Sequence, residues 1–364
     1  MKVATETLKE LVSKVSIGVG NGRPTITEFI GIKADSNKIQ LETTDGANYL
    51  FATVECDTDI SDGECFEVSV LAEQFMRLIG KINSKDIALS IFDGNLVVRA
   101  NNGTYTLELH LDENGEPIQY PDPREYSSDS VVKVSTDVIR NIVQTAKASL
   151  STDLERPELT NYYAGDSVFA TDGCIVTEYK TKLFDKPMLI SAKLMDIIST
   201  ITDGEVELNL GKDHLWIKSG CIEVYSRFAD DASEYEADKV KEYISTDFTH
   251  WVKFKKADLI SALDRISLFV GKFDNSAVRI VFDRSNAIVS NVKSGSEELV
   301  EYTEKKVDKS KKKFEPFEVY VNVQMLTEQL KSYIGDIVTV NYGTDFAISL
   351  SSETTTQIVS LMEL

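Results

Sequence analysis

One hydrophobic signature recurs three times along this chain, and that recurrence restricts the fold more than any single motif. Residues 70–100 read VLAEQFMRLIGKINSKDIALSIFDGNLVVRA. A shift of 119 carries Phe75, Leu78, Ile79 and Ile82 onto Leu194, Ile197, Ile198 and Ile201. The same shift carries Ile87, Leu89 and Ile91 onto Val206, Leu208 and Leu210, and Leu96 and Val98 onto Leu215 and Ile217. A further shift of 132 takes Leu194, Ile198 and Ile201 to Leu326, Leu330 and Tyr333, then Val206 and Leu208 to Val338 and Val340. With one residue fewer in the hairpin, Leu215 and Ile217 align with Phe346 and Ile348. Each copy thus predicts a helix, from apolar residues spaced 3, 4 and 7, then two strands of period-two alternation. The intervening turns carry Asp93-Gly94-Asn95, Gly211-Lys212-Asp213 and Gly343-Thr344-Asp345.

A second helical stripe precedes each copy. Leu8, Leu11, Val12 and Val15 match Ile139, Ile142, Val143 and Ala146, and then Leu259, Ala262, Leu263 and Ile266. Thr7 and Glu10 have capping-box spacing in the first of these. The unit is strand, helix, several strands, twice over, in about 120 residues. Two polar segments fit as linkers: residues 111–130, with Pro117, Pro121 and Pro123, and the acidic run of residues 229–250. The expected organisation is an α+β chain of three repeated domains, 1–125, 126–248 and 249–364, each with two helices packed on antiparallel sheet.

Composition narrows the function. Of 364 residues, 39 are Lys or Arg and 59 Asp or Glu, so the net charge is 39 − 59 = −20. That balance excludes a uniformly basic nucleic-acid coat but permits a local basic surface. Cys56, Cys65, Cys174 and Cys221 are scattered without a CxxC pair, as in a reducing compartment. His110, His214 and His250 have no second ligand at metal spacing. Gly80-Lys81, Gly211-Lys212 and Gly271-Lys272 lack the Gly-rich approach and following Ser or Thr of a phosphate loop, and no GxSxG or HExxH occurs. The expectation is a non-enzymatic protein with no catalytic residues, metal or cofactor. Glu6 and Glu10 interrupt the first apolar stretch, which is no signal peptide, and no window reaches membrane-spanning length, so a cytoplasmic protein is expected.

Local motifs then carry a resemblance. Gly22-Arg23-Pro24-Thr25 follows the first helix. Arg156-Pro157-Glu158-Leu159 precedes Ala170-Thr171-Asp172-Gly173, Lys272-Phe273 precedes Val278-Arg279-Ile280, and the chain ends in Ile358 to Leu364. In order and spacing these resemble the G-R-P-T, R-x-x-L, A-T-D-G and K-F-x-x-V-R motifs and hydrophobic tail of the bacterial-type DNA sliding clamp, the DNA polymerase III beta subunit family. Departures mark a divergent member, in keeping with a viral or mobile-element origin. The family's His-Arg-Leu after T-D-G is Cys174-Ile175-Val176, and its F-P-D-Y is only loosely represented by Tyr235 to Asp238.

The resemblance implies a head-to-tail homodimer, a ring of six domains with helices lining the hole around duplex DNA, held without sequence specificity. Off-stripe cations that would face DNA are Lys9, Lys14, Arg77, Lys81, Arg140, Lys147 and Lys193, with Arg23 on the G-R-P-T turn. Lys305 to Lys313 forms the most basic run, more in keeping with a solvated loop. Short hydrophobic peptides of a DNA polymerase and a clamp loader would enter a pocket. Its walls, carried over from the family, are Leu159, Thr171, Gly173, Ile175, Val176, Val240, Phe273, Asn322, Met325, Phe346, Ile348, Val359, Ser360, Leu361 and Met362. Tyr105 and Leu107 of one copy would meet the helix end near Leu268 of the other. The alternative reading is an interaction hub of the same fold that recruits repair or loader proteins without stably encircling DNA.

Overall fold

Helices form where the apolar stripes predict them: α1 (Thr5–Val15), α2 (Ala72–Lys81), α3 (Thr136–Ala146) and α4 (Ala192–Ile201). After α5 (Ala237–Ile244), a short helix inside the acidic run that periodicity did not announce, come α6 (Lys256–Ser267) and α7 (Val323–Ser332). These come from a computed structural model describing all residues except 21–24, 102, 117, 125–129, 228–231, 271–275, 294, 307–314 and 364, and excepting the side chains of Thr25 and Lys306. Among the described residues, no helix is long and apolar enough to cross a membrane.

The capping box is not formed. Helix α1 starts two residues before Thr7, with Ala4 at its N-cap and no side-chain cap. A main-chain bond does the work, because a strand runs straight into the helix. The Thr5 N–H donates to the Lys85 carbonyl at 3.0 Å, satisfying a group the first helical turn leaves orphaned. The same bond recurs from Thr136 to Gly204 and from Lys256 to Asp336, both at 2.8 Å. Lys85, Gly204 and Asp336 are related by the sequence shifts of 119 and 132, so the repeat extends to individual hydrogen bonds.

The chain divides into two compact units, Met1–Asp137 with Asp196–Ala229, and Val138–Met195 with Asp230–Leu364. The first holds an eight-stranded sheet in the order Phe66–Leu71, Phe29–Ala34, Lys38–Thr44, Asn48–Glu55, Ile222–Arg227, His214–Ser219, Glu205–Leu210, Ser130–Ser135. Its smaller sheet is Lys2–Ala4, Asp86–Phe92, Asn95–Ala100, Gly103–Glu108. The second unit holds nine strands, Met188–Ser191, Asn161–Ala164, Val168–Thr171, Ile175–Tyr179, Thr355–Ser360, Ala347–Ser351, Ile337–Tyr342, His250–Lys255 and Glu304–Lys306. Its smaller sheet is Glu297–Glu301, Asn286–Asn291, Ala277–Phe282, Phe317–Asn322. Each large sheet joins two half-sheets from successive repeats through one antiparallel pairing: Asn48–Glu55 with Ile222–Arg227, and Ile175–Tyr179 with Thr355–Ser360. The compact units therefore cut across the sequence repeats. The two four-stranded sheets are half-sheets that end in open edges, Gly103–Glu108 and Glu297–Glu301.

Each sheet buries one face under helices, as period-two alternation requires. In the first unit Leu8, Leu11, Phe75 and Ile79 pack with Ile30, Ile32, Ile39, Leu41, Leu89 and Val98. In the second, Leu259, Leu263, Leu326 and Leu330 pack with Ile280, Val289, Val340 and Leu350. The hairpin at Asp93-Gly94 has φ of 52° and 69°, the left-handed pair that a two-residue turn of matching twist demands.

The opposite face of the eight-stranded sheet is covered rather than simply wet. Phe51, Trp216 and Tyr225 form a small buried cluster, and the Arg124 guanidinium lies 3.9 Å above the Phe51 ring. Tyr120 lies on Gly31 so closely that a Cβ there would come within 2.9 Å of it. Beside this strap Glu42 is fully buried, with Lys33 at 3.3 Å and one carboxylate oxygen unpartnered. Burial pushes the Glu42 carboxyl up, against the pull of Lys33. A raised folded value means that the native state binds this proton more readily than the unfolded chain. Stability from this group is therefore lost as pH climbs from the ordinary glutamate range through the raised value. Glu42→Gln should remove that slope, so its melting temperature gains on the parent as pH rises from 4.5 to 8. Parallel melting curves across that range would count against the charge being buried.

Candidate peptide-binding site

The strand Val168–Thr171 ends in a turn built by its own side chains. The Thr171 hydroxyl donates to the Ile175 carbonyl at 2.6 Å and accepts from the Gly173 N–H at 3.0 Å. Asp172 accepts from the Cys174 and Ile175 N–H groups at 2.8 and 2.7 Å. Gly173, at φ 95°, takes the left-handed conformation that this reversal needs. The turn delivers Ile175 and Val176 opposite Val359 and Ile358 of the C-terminal strand.

The C-terminus is stitched to three elements. Ser360 donates to the Cys174 carbonyl through its N–H at 3.1 Å and its hydroxyl at 2.7 Å. The Leu361 N–H donates to Phe346 at 2.7 Å, and the Met362 N–H to Tyr320 at 2.8 Å. Asn322 caps α7, its side-chain oxygen accepting from the Gln324 and Met325 N–H groups at 3.0 and 3.1 Å. Its cap holds the start of the helix bearing Met325.

Side-chain parity sorts the expected pocket residues onto two faces. Leu159, Val176 and Val240 share one apolar cluster with Tyr163, Phe169, Tyr235, Ala347 and Ile358. Ile348 and Val359 belong instead to the core beneath α6 and α7, with Leu361 packed at its margin. Phe346 remains exposed, its ring 6.1 Å from and edge-on to that of Tyr243. Cys174 and Gly173 are exposed, while Met325, Ser360, Leu361 and Met362 are half-buried. Phe273 lies outside the described residues. The result is a buried apolar cluster whose surface margin, formed by the exposed rings of Phe346 and Tyr243 beside the stitched C-terminus, is an aromatic ledge. Sequence reasoning left Tyr163, Tyr235 and Tyr243 out of the pocket, although the loose F-P-D-Y match begins at Tyr235. It also left out of the pocket Arg156, the first residue of the R-x-x-L match, whose guanidinium lies 3.5 Å from where a Cβ on Gly173 would sit.

No family model matches the chain. The beta sliding clamp of Staphylococcus epidermidis is 22% identical over 277 residues, covering 71% of each chain. That of Staphylococcus aureus is 21% identical over 281 residues, again 71% of each. The DNA polymerase sliding clamp from Bacillus subtilis superposes with a TM-score of 0.84 at 17% identity, covering 100% of this chain and 98% of that one. DNA polymerase III subunit beta from Borrelia burgdorferi gives 0.84 at 13% identity, covering 100% and 99%. The chain has the sliding-clamp fold.

Within that clamp fold the cations expected at DNA are mostly engaged locally. Lys9 pairs with Glu6 at 3.4 Å. Lys14 donates to the Ile201 carbonyl at 3.3 Å, where it meets the negative end of α4. Arg77 pairs with Glu73 at 2.7 Å, both exposed. Lys81, Arg140, Lys147 and Lys193 have exposed side chains. Arg23 and residues 307–313 of the basic run lie outside the described residues. Of the clamp's expected dimer residues, Tyr105 is 42% and Leu268 80% exposed, whereas Leu107 is tucked into the first unit's own core.

Proposed function

We propose that two copies of this chain close head to tail into a ring that encircles duplex DNA and tethers a DNA polymerase, as a non-enzymatic processivity factor. Each copy contributes three domains, bounded near residues 125 and 248, and the short peptides of a polymerase and a clamp loader dock on the ledge beside the C-terminus. The observation that carries this reading is the sheet count. The fold joins half-sheets twice within the chain and leaves one half-sheet open at each of two edges. A heterologous contact between these unlike edges, repeated by a closing rotation, would join them as the half-sheets inside the chain are joined.

Charge supports holding by enclosure rather than affinity. Lys9, Lys14 and Arg77 are neutralised by Glu6, Asp203 and Glu73 within 4.0 Å. Few phosphates would be contacted, so the logarithm of affinity for linear DNA should fall only shallowly with the logarithm of salt. The deciding experiment assembles the protein at micromolar concentration on a nicked circular duplex and follows it through gel filtration in high salt. Protein should stay with the circle and leave when a restriction enzyme linearises it. Equal retention on circle and linear DNA would favour the hub reading.

The ledge makes its own prediction. Leu361→Ala combined with Met362→Ala should weaken binding of a polymerase tail peptide about tenfold, the scale of two truncated apolar contacts. The main-chain bonds that stitch the tail survive this change, so circular dichroism should not move. Unchanged affinity by calorimetry would remove the C-terminus from the site.

A further inference from the structure

Two aromatic rings stand open at the margin of the ledge. Phe346 is 43% and Tyr243 50% exposed, with their rings edge-on at 6.1 Å. Other aromatic faces of the chain already carry a cation. Arg124 lies 3.9 Å from the centre of the Phe51 ring, the Lys218 ammonium 3.6 Å from that of Trp216, and the Lys253 ammonium 5.3 Å from that of Trp251. In each case the negative face of the ring attracts the charge. Among the described residues, no Lys or Arg stands over Phe346 or Tyr243.

The charges around this pair are mostly acidic. Glu242 precedes Tyr243, Asp345 precedes Phe346, and Glu363 follows the half-buried Met362, all three exposed. Asp238, one turn before Glu242 on α5, bears on the ledge cluster itself. Burial, and after it the Asp238 carboxylate, pushes the Tyr163 phenol up. Nearby cations are engaged: Arg156 with Glu158 at 3.6 Å, and Lys239 with Glu236. Lys241 on α5 is exposed, and the turn after Asp172 adds no cation, since Gly173, Cys174 and Ile175 follow. Four exposed carboxylates therefore stand against one unpaired ammonium.

Resting on the peptide reading of the ledge above, we infer that the docked segment carries a Lys or Arg whose charged head lies over the Tyr243 and Phe346 rings, among these carboxylates. Its apolar side chains meet Leu361 and Met362 alongside, since the Leu361 N–H is bonded to the Phe346 carbonyl at 2.7 Å. The aliphatic stem of such a side chain covers ring surface while its head stays wet. The same margin selects by repulsion. A segment with acidic flanks would bring like charge to Asp238, Glu242, Asp345 and Glu363 and bind more weakly.

The test follows fluorescence anisotropy of three labelled peptides on the full chain. They share the core Leu-Ser-Leu-Phe, flanked on each side by two lysines, two glutamines or two glutamates. At about 0.05 M salt the lysine peptide should bind about tenfold tighter than the glutamate peptide, and the ratio should shrink as salt is added. Glu242→Gln with Asp345→Asn, and separately Tyr243→Leu with Phe346→Leu, should each reduce that ratio about threefold. The net charge of −20 attracts any basic peptide, so a control removes two exposed carboxylates of the first unit, Asp62→Asn with Glu64→Gln, and should keep the parent ratio. If this control lowers the ratio as much, or if either ledge variant leaves it unchanged, the inference falls. Peptides that bind equally yet all weaken with Leu361→Ala and Met362→Ala overturn the inference and leave the ledge reading standing. Peptides indifferent to that double variant overturn both.

Discussion

Leu268→Asp combined with Phe269→Asp should convert the proposed dimer to monomer and abolish retention on circular DNA. The two residues are 80% and 55% exposed at the C-terminal end of α6, so the folded monomer loses little apolar burial by the change. In the proposed ring the same two residues would cover Tyr105 and the open edge strand. Two carboxylates there must be desolvated without a partner, and two large apolar contacts are lost. Interface anchors of this kind are worth about 2 kcal/mol or more each, so the dimer should weaken by about a thousandfold. Sedimentation equilibrium measures this directly, and the plasmid assay reports its consequence. Leu154→Asp, on an equally exposed leucine in a loop of the second unit, serves as the control and should leave the dimer unchanged. A double variant that still sediments as a dimer would place the interface elsewhere.

The fold was legible in the sequence wherever burial follows a period. The stripes on α1, α2, α3, α4, α6 and α7 and the paired strands behind α2, α4 and α7 need only local alternation to be seen. What period could not show is which half-sheets join. That Asn48–Glu55 pairs with Ile222–Arg227 depends on contacts about 175 residues apart, and nothing in either strand marks its partner. The site was legible by motif rather than by chemistry. Asp172 and Gly173, picked out by the A-T-D-G match, form a turn. Yet the motif could not tell Val176, which joins the ledge cluster, from Val359, which turns into the opposite core. That distinction is a matter of strand parity, set by where the C-terminal strand pairs. The capping box failed for a related reason. A local pattern predicted a side-chain cap, but a carbonyl from Lys85, eighty residues away in sequence, reaches the helix first.

Gln357→Ala should destabilise the second unit strongly. The Gln357 side chain is fully buried, and its amide donates to the Thr145 carbonyl at 3.0 Å and to the Ser332 hydroxyl at 2.7 Å. It stands opposite Thr177 at the sheet junction. The Thr177 hydroxyl in turn lies 2.6 Å from that of Ser149, and both reach Gln329. One polar seam thus ties α3, α7 and the two joined strands inside an otherwise apolar interior. Alanine leaves a cavity and removes a donor from groups that cannot reach water, at a cost of about 2–4 kcal/mol. Gln357→Leu refills most of the volume and leaves the Thr145 carbonyl its bond from Ser332, so it should cost about half as much. The two tryptophans separate the units. Trp251 lies in the strand His250–Lys255 of the second, and Trp216 in the aromatic cluster of the first. In urea, with Trp216→Phe as background, the Trp251 transition should move to lower denaturant in the order parent, leucine, alanine. If leucine proves as damaging as alanine, the lost hydrogen bonds outweigh the cavity. If neither moves the transition, the seam contributes no stability to the junction.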